Sequence, residues 1–175
     1  NGHPFYQITF PSENITFLFD GQSRSWSNLE SNGGRHRANL YAELLGKKYV
    51  TDYKNGKVYQ LTDDVYTDDG EYIARQFISR HTGNGDWSTL SKLWLEVEAG
   101  TGLQTGQGAD PQIMLSISKD GGHTYGSEMW RAMGKVGEYT RRAIWNRLGR
   151  ARNWTFKFRI TDPVKVVITQ AWGQK

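Results

Sequence analysis

Three runs decide the fold of this chain: Ile113-Met114-Leu115-Ser116-Ile117-Ser118, Lys119-Asp120-Gly121-Gly122, and Trp154-Thr155-Phe156-Lys157-Phe158-Arg159-Ile160. In the first, Ile113, Leu115 and Ile117 fall on one face of an extended strand, because side chains alternate with a period of two. The second holds two glycines, which reach the positive φ that a tight turn requires. In the third, aromatic residues occupy one face and charges the other. The stretch is therefore strand, turn and strand.

The rest of the composition agrees with a β protein. Aromatic residues make up 13% of the 175 residues, with seven Trp and nine Tyr, beside 20 Gly. Such residues suit pleated sheet and its turns. With no Cys there is no disulfide framework. No apolar run approaches the roughly 20 residues of a membrane helix, so no membrane partner is expected. The chain begins Asn1-Gly2-His3 without a Met, so a piece of a longer protein is expected. The sequons at Asn14 and Asn153 carry little meaning without secretion.

Phe5-Tyr6-Gln7-Ile8-Thr9-Phe10 reads as a strand stopped by Pro11, and Ile15-Thr16-Phe17-Leu18-Phe19 as another that turns at Asp20-Gly21 toward Trp26. Strands follow at 40–45, 48–52 and 57–61, with turns at Gly46-Lys47 and Asn55-Gly56. This run suggests β-propeller-like blades, two at most and too few to close a ring. The expected fold class is all-β: a propeller-like blade segment over residues 1–71, then a β-sandwich or jelly-roll-like domain over residues 72–175 that bears a basic Arg/Trp-rich surface. The boundary is placed near residues 66–75. Strands are expected at 72–79 and 93–98, with 164–168 closing the sheet, and a long loop over 100–108.

Several chemistries are weighed against plainer accounts. Asp63, Asp64, Asp68, Asp69 and Glu71 lack the alternating ligands and distant Glu of an EF-hand, so a solvated turn is expected rather than a calcium loop. Trp94, Glu96 and Glu98 share a strand face, an arrangement that would suit a carbohydrate-binding or glycosidase-type β domain; simple alternation produces it too. Ser118, Asp120, Gly122 and Thr124 resemble the Asp-box of sialidases and other propellers, in which side chains hydrogen-bond turn amides as a folding device. One copy, without an evident arginine trio and tyrosine nucleophile, does not make a sialidase. His3, His36, His81 and His123 show no short metal-ligand spacing. Residue types leave a Ser-His-Asp hydrolase open, since triads assemble in space, but no nucleophile elbow supports one.

Charge is segregated. Between Arg131 and Arg159 lie nine basic residues against Glu138 alone, a local charge of +8 in a chain of +4, which leaves −4 elsewhere. Arg141, Arg142, Arg147, Arg150, Arg152, Lys157 and Arg159 are the candidate partner- or DNA-facing surface. Phosphates, an acidic protein partner and solubility all account for such a block. Arg predominates over Lys, and Trp130, Trp145 and Trp154 interleave with the cations, a pattern suited to stacking or interface packing. No recognition helix is evident for sequence-specific DNA reading.

Residues 118–160 carry a more specific signal. Asp120-Gly121-Gly122, Tyr125-Gly126, Glu128-Met129, Phe156, Phe158-Arg159 and Val166 accompany the ordered pattern Arg142-x-x-Trp145-x-Arg147-x-Gly149-Arg150-x-Arg152. Looser matches fall at Phe19-Asp20, Trp26 and Tyr53-Lys54-Asn55-Gly56-Lys57-Val58-Tyr59. In these features the chain resembles the C-terminal part of the packaged-DNA stabilisation proteins, or tail hub proteins, of short-tailed lambdoid bacteriophages. The resemblance implies a structural virion protein, not an enzyme, without cofactor or metal. It implies a ring homo-oligomer below the portal and its adaptor, made in the bacterial host cytoplasm. There it would help retain packaged DNA and carry the tail needle and tailspike. The basic block would then face double-stranded DNA non-specifically or dock on a neighbouring tail protein. Docking is preferred, because its Arg residues alternate with aromatics along strands instead of forming a basic arm.

Overall fold

The computed structural model describes residues 4–98 and 100–174. Among these the regular elements are all strands, and the chain divides into two compact units, Asn1–Glu71 and Tyr72–Lys175.

In the first unit, β1 (Phe5–Phe10), β2 (Ile15–Asp20) and β3 (Ser25–Asn28) form an antiparallel meander. Alternation puts Tyr6, Phe19 and Trp26 in register, with Ile8 opposite Phe17 and Phe10 opposite Ile15, so one face of this sheet is apolar except at Asn28, which lies opposite Phe17. Its rings touch, Phe19 to Trp26 at 4.9 Å and Phe10 to Phe17 at 6.1 Å. A short hairpin of β4 (Glu30–Ser31) and β5 (Gly34–Arg35) follows. Next come β6 (Ala38–Leu44), β7 (Lys47–Asp52) and β8 (Val58–Leu61), a second meander. A propeller blade has four strands. Each meander has three among the described residues, and none of the sheets closes, so blades are not shown. The β6–β7 turn also differs from expectation. Leu44 pairs with Lys47, so the loop is Leu45-Gly46, with φ of 51° and 71°. Two consecutive positive φ values give the twist that a two-residue hairpin demands.

The acidic stretch is not simply a solvated turn. β9 (Thr67–Asp68) and β10 (Glu71–Tyr72) form a hairpin. Its carboxylates are drawn onto Arg37, whose guanidinium lies 2.6 Å from Asp68, 3.5 Å from Asp69 and 3.1 Å from Asp52, and donates to Tyr59 Oη at 3.0 Å. Burial opposes the charge on Arg37, and Asp68 and Tyr59 outweigh it, raising its pKa.

The second unit continues with β11 (Arg75–Ile78), β12 (Ser88–Val97), β13 (Gln112–Ser118), β14 (Met129–Ala132), β15 (Arg142–Ala151), β16 (Thr155–Ile160) and β17 (Ile168–Gln174). One sheet has the order β11-β16-β13-β14 and the other β15-β12-β17, all pairs antiparallel. Their inner faces make the core: Ile113 and Leu115 of β13 and Phe156, Phe158 and Ile160 of β16 meet Leu93 and Leu95 of β12 and Ala143, Trp145 and Leu148 of β15. This is a sandwich, two sheets that bury one alternating face each. Trp145 has no exposed surface; its indole N–H donates to the Met129 carbonyl at 2.9 Å, and its ring lies 6.0 Å from Phe158. Because Met129 and Phe158 belong to the opposite sheet, this one side chain joins the two layers by packing and by a hydrogen bond.

The closing strand starts later than expected. Residues 164–167 are loop, and β17 begins at Ile168. The loop is pinned instead: the Arg75 guanidinium donates to the carbonyls of Val164 at 2.7 Å and Asp162 at 2.6 Å, while Asp162 Oδ2 accepts from the Gln112 amide at 2.6 Å. Side chains thus satisfy the carbonyls of Asp162, Val164 and Lys165, and at Val167 the loop meets backbone next to β12, through the Glu98 amide at 2.8 Å.

Trp145→Ala removes the largest fully buried side chain and the bond to Met129. It is expected to destabilise the second unit by about 3–5 kcal/mol, measured by urea unfolding against the parent chain.

Candidate docking surface

The seven basic residues of the candidate surface are not brought onto one face. Lys157 and Arg159 alternate with Phe156, Phe158 and Ile160 on β16, so they lie on the outer side of the four-stranded sheet. There Arg159 pairs with Glu128 at 3.3 Å, and Lys157 stands over the Tyr125 ring at 4.4 Å. Arg142 alternates with Ala143 and lies on the outer side of the other sheet, paired with Glu96 at 2.9 Å. Arg141 lines a shallow open cleft with residues 137–140, Arg142 and Ile144.

Arg147 sits in a β-bulge. Leu90 pairs with Gly149 but Lys92 with Asn146, so β15 carries one residue more than β12 across this interval. The extra residue is accommodated by Arg147 at φ 59° and Gly149 at φ 90°. Bulges of this kind twist a strand and re-aim the residues beyond them. Beyond this one, the structure brings Arg150 and Arg152 together. Their guanidiniums lie 5.1 Å and 5.0 Å from the centre of the Trp87 ring, and Trp87 is 55% exposed. Sequence reasoning passed over Trp87. Its partnership follows from Ser88 pairing with Ala151, which sets Trp87 beside Arg152, and that register is invisible before β12 and β15 are matched. Conversely, Trp145 and Trp154 are core residues, 0% and 3% exposed; of the three tryptophans that interleave with the cations, only Trp130 is exposed.

The turn after β13 is built as a closed hydrogen-bond system. The Ser118 hydroxyl donates to Asp120 Oδ1 at 2.6 Å and accepts from the Gly122 amide at 2.7 Å. Thr124 donates to Asp120 through its hydroxyl at 2.6 Å and its amide at 3.0 Å. Gly121 and Gly122 take φ of 77° and 95°. The Ser118 hydroxyl above all, then the Thr124 hydroxyl and amide, hold the Asp120 carboxyl far below the usual carboxylate range. An isolated bridge joins Asp120 to Asn153, so the turn braces the β15–β16 connection that follows Arg152.

A family model described as the bacteriophage P22 Gp10 β-sandwich matches residues 74–172, more than half of the chain. The chain belongs to this family. It is accordingly a bacteriophage structural protein and a virion component. No curated protein matches it. The Gp10 match covers both sheets of the sandwich from β11 onward and leaves the two meanders of the first unit outside it.

Inside and outside this Gp10-type sandwich, other candidate residues are engaged by neighbours. Glu96 pairs with Arg142, and Glu98 with Lys165 at 3.1 Å. Trp94 stacks with Trp172 at 6.5 Å. His81 Nδ1 lies 2.9 Å from Thr155 Oγ1, His36 Nδ1 accepts from the Ala38 amide at 3.3 Å, and His3 lies outside the described residues. Among the described residues no group of three His, Cys, Asp or Glu side chains could hold a metal.

Asp120→Asn is expected to lower the melting temperature at pH 7. Because the folded pKa lies below the unfolded one, the carboxylate's contribution is complete above about pH 4 and is lost as pH falls further. The gap between parent and variant should therefore narrow below pH 4 in thermal melts across a pH series.

Proposed function

We propose that this chain is a non-catalytic piece of a phage tail hub that docks on neighbouring tail proteins at the portal vertex, and thereby helps retain packaged DNA. The observation that carries this reading is the exposed Trp87 with Arg150 and Arg152 lying over its ring. Trp and Arg are the residues that dominate protein interfaces when they cluster. The state of the remaining cations supports the same choice over a DNA-facing surface. Arg142 and Arg159 are neutralised by Glu96 and Glu128 on opposite outer faces of the sandwich, so they do not make a stripe that follows phosphates. The apolar face of the first meander supports a blade-like role for residues 1–71, since such a face is suited to packing against another sheet. The portal adaptor, needle and tailspike, and further copies in a ring, are the partners this reading names.

A second reading has one observation in its favour. Trp94 and Trp172 form an aromatic pair on the outer face of β12 and β17, and Trp172 is half exposed, a geometry suited to stacking on sugar rings. Ion pairing of Glu96 and Glu98 disfavours a glycosidase but not a binding platform. Glycan binding that is lost in Trp94→Ala would favour this reading; the structural role predicts no glycan binding in either protein.

Charge reversal by Arg147→Glu, Arg150→Glu and Arg152→Glu together is expected to abolish assembly onto the portal–adaptor complex, followed by co-sedimentation. Normal assembly of this variant would sink the docking reading.

A further inference from the structure

Several cations of this protein face carboxylates: Arg37 meets Asp68 at 2.6 Å, and Arg142, Arg159, Lys57 and Lys165 each meet one at 2.9, 3.3, 3.0 and 3.1 Å. Arg150 and Arg152 do not: among the described residues none of the salt bridges involves either, and both instead lie over Trp87. Asp86, the nearest acid in sequence to that ring, accepts a hydrogen bond from Asn84 Nδ2 at 2.9 Å and, among the described residues, makes no ion pair with either arginine. Two like charges have therefore been gathered on one ring without an internal counterion.

A guanidinium loses little hydration when it lies over an aromatic ring, and its planar N–H donors remain directed outward along the edge. Two guanidiniums over one indole gather at one spot donors that suit planar, bidentate acceptors. The half-exposed indole adds apolar area beside them. We propose that Trp87, Arg150 and Arg152 are the receptor for a carboxylate-bearing segment of a neighbouring protein, an Asp or Glu side chain held by the arginines with an apolar residue seated on Trp87; this rests on the docking reading and gives that site its chemistry. Charge complementarity selects an anion. The indole and the compactness of the site select a protein segment over duplex DNA, whose backbone engages many cations along its length and offers nothing apolar to the ring.

Binding of the whole chain to poly-L-glutamate and, separately, to a short random-sequence DNA duplex tests this by calorimetry at low salt. Poly-L-glutamate should bind, and Arg150→Gln with Arg152→Gln should weaken it by at least about tenfold. Trp87→Ala, which changes no charge, should weaken it several-fold, whereas Trp87→Phe should retain most of it; circular dichroism verifies folding. Lys135→Gln, which removes an exposed charge elsewhere, should change binding by less than about twofold. Equal losses in Lys135→Gln and at the arginines, or no effect of Trp87→Ala in a folded protein, would overturn the proposal in favour of diffuse electrostatics. Tighter binding of the duplex, lost in the same arginine variant, would make the site a phosphate receptor. If the carboxylate chemistry fails while charge reversal still blocks assembly, docking survives and only its chemistry is wrong.

Discussion

Trp145 is the constraint on which the sandwich depends. Its ring belongs to β15, its indole N–H is satisfied by a carbonyl of β14, and its face meets Phe158 of β16, so one residue of the three-stranded sheet is fixed at two places in the four-stranded one. A buried indole that lacked its acceptor would incur the cost of an unpaired polar group, about 1–3 kcal/mol. The two sheets are thus held at one spacing and one register by a polar bond within an apolar core. With Trp145 fixed, the odd-numbered neighbours of β15 face inward up to the bulge at Arg147. Beyond it the strand leads into Arg150 and Arg152 on Trp87.

Much of this was legible in the sequence. The alternation of Ile113, Leu115 and Ile117, of Leu93, Leu95 and Val97, and of Phe156 and Phe158 states which face is inner, and the structure buries those faces. The sandwich class follows from such patterns, while the family resemblance rests on the ordered pattern Arg142-x-x-Trp145-x-Arg147-x-Gly149-Arg150-x-Arg152 and the motifs beside it. Other features needed the third dimension. The bulge at Arg147 arises from pairing between strands distant in sequence, and nothing local in Asn146-Arg147-Leu148 announces it. The basic block likewise reads as one patch in sequence. A strand alternates between faces and the two sheets look outward in opposite directions, so Arg142 and Arg159 end on opposite sides. Asp68 and Asp69 read as a hydrated turn because their partner, Arg37, lies some thirty residues earlier in the chain.

Charge count is therefore a poor guide to which cations stand without a carboxylate of their own, and charge pairing a better one. An arginine with its own carboxylate has already exchanged hydration for an internal ion pair, and a partner must displace that carboxylate to use it. Arg150 and Arg152 carry no such debt. They lie over the Trp87 ring instead, and in the proposed docking a side chain held there loses less entropy on binding. The Asp120 turn and its bridge to Asn153 brace the chain directly after them, so the proposed site rests on a braced corner of the sandwich.

The central claim is that Trp87 is covered by protein in the assembled tail, and hydroxyl-radical footprinting of that residue tests it most directly. Oxidation of Trp87 would be compared in the free chain, in intact phage and in phage that have released their DNA. The account predicts strong oxidation in the free chain and protection in both phage samples. Equal oxidation of free and assembled protein, or protection that disappears when the DNA leaves, would contradict it.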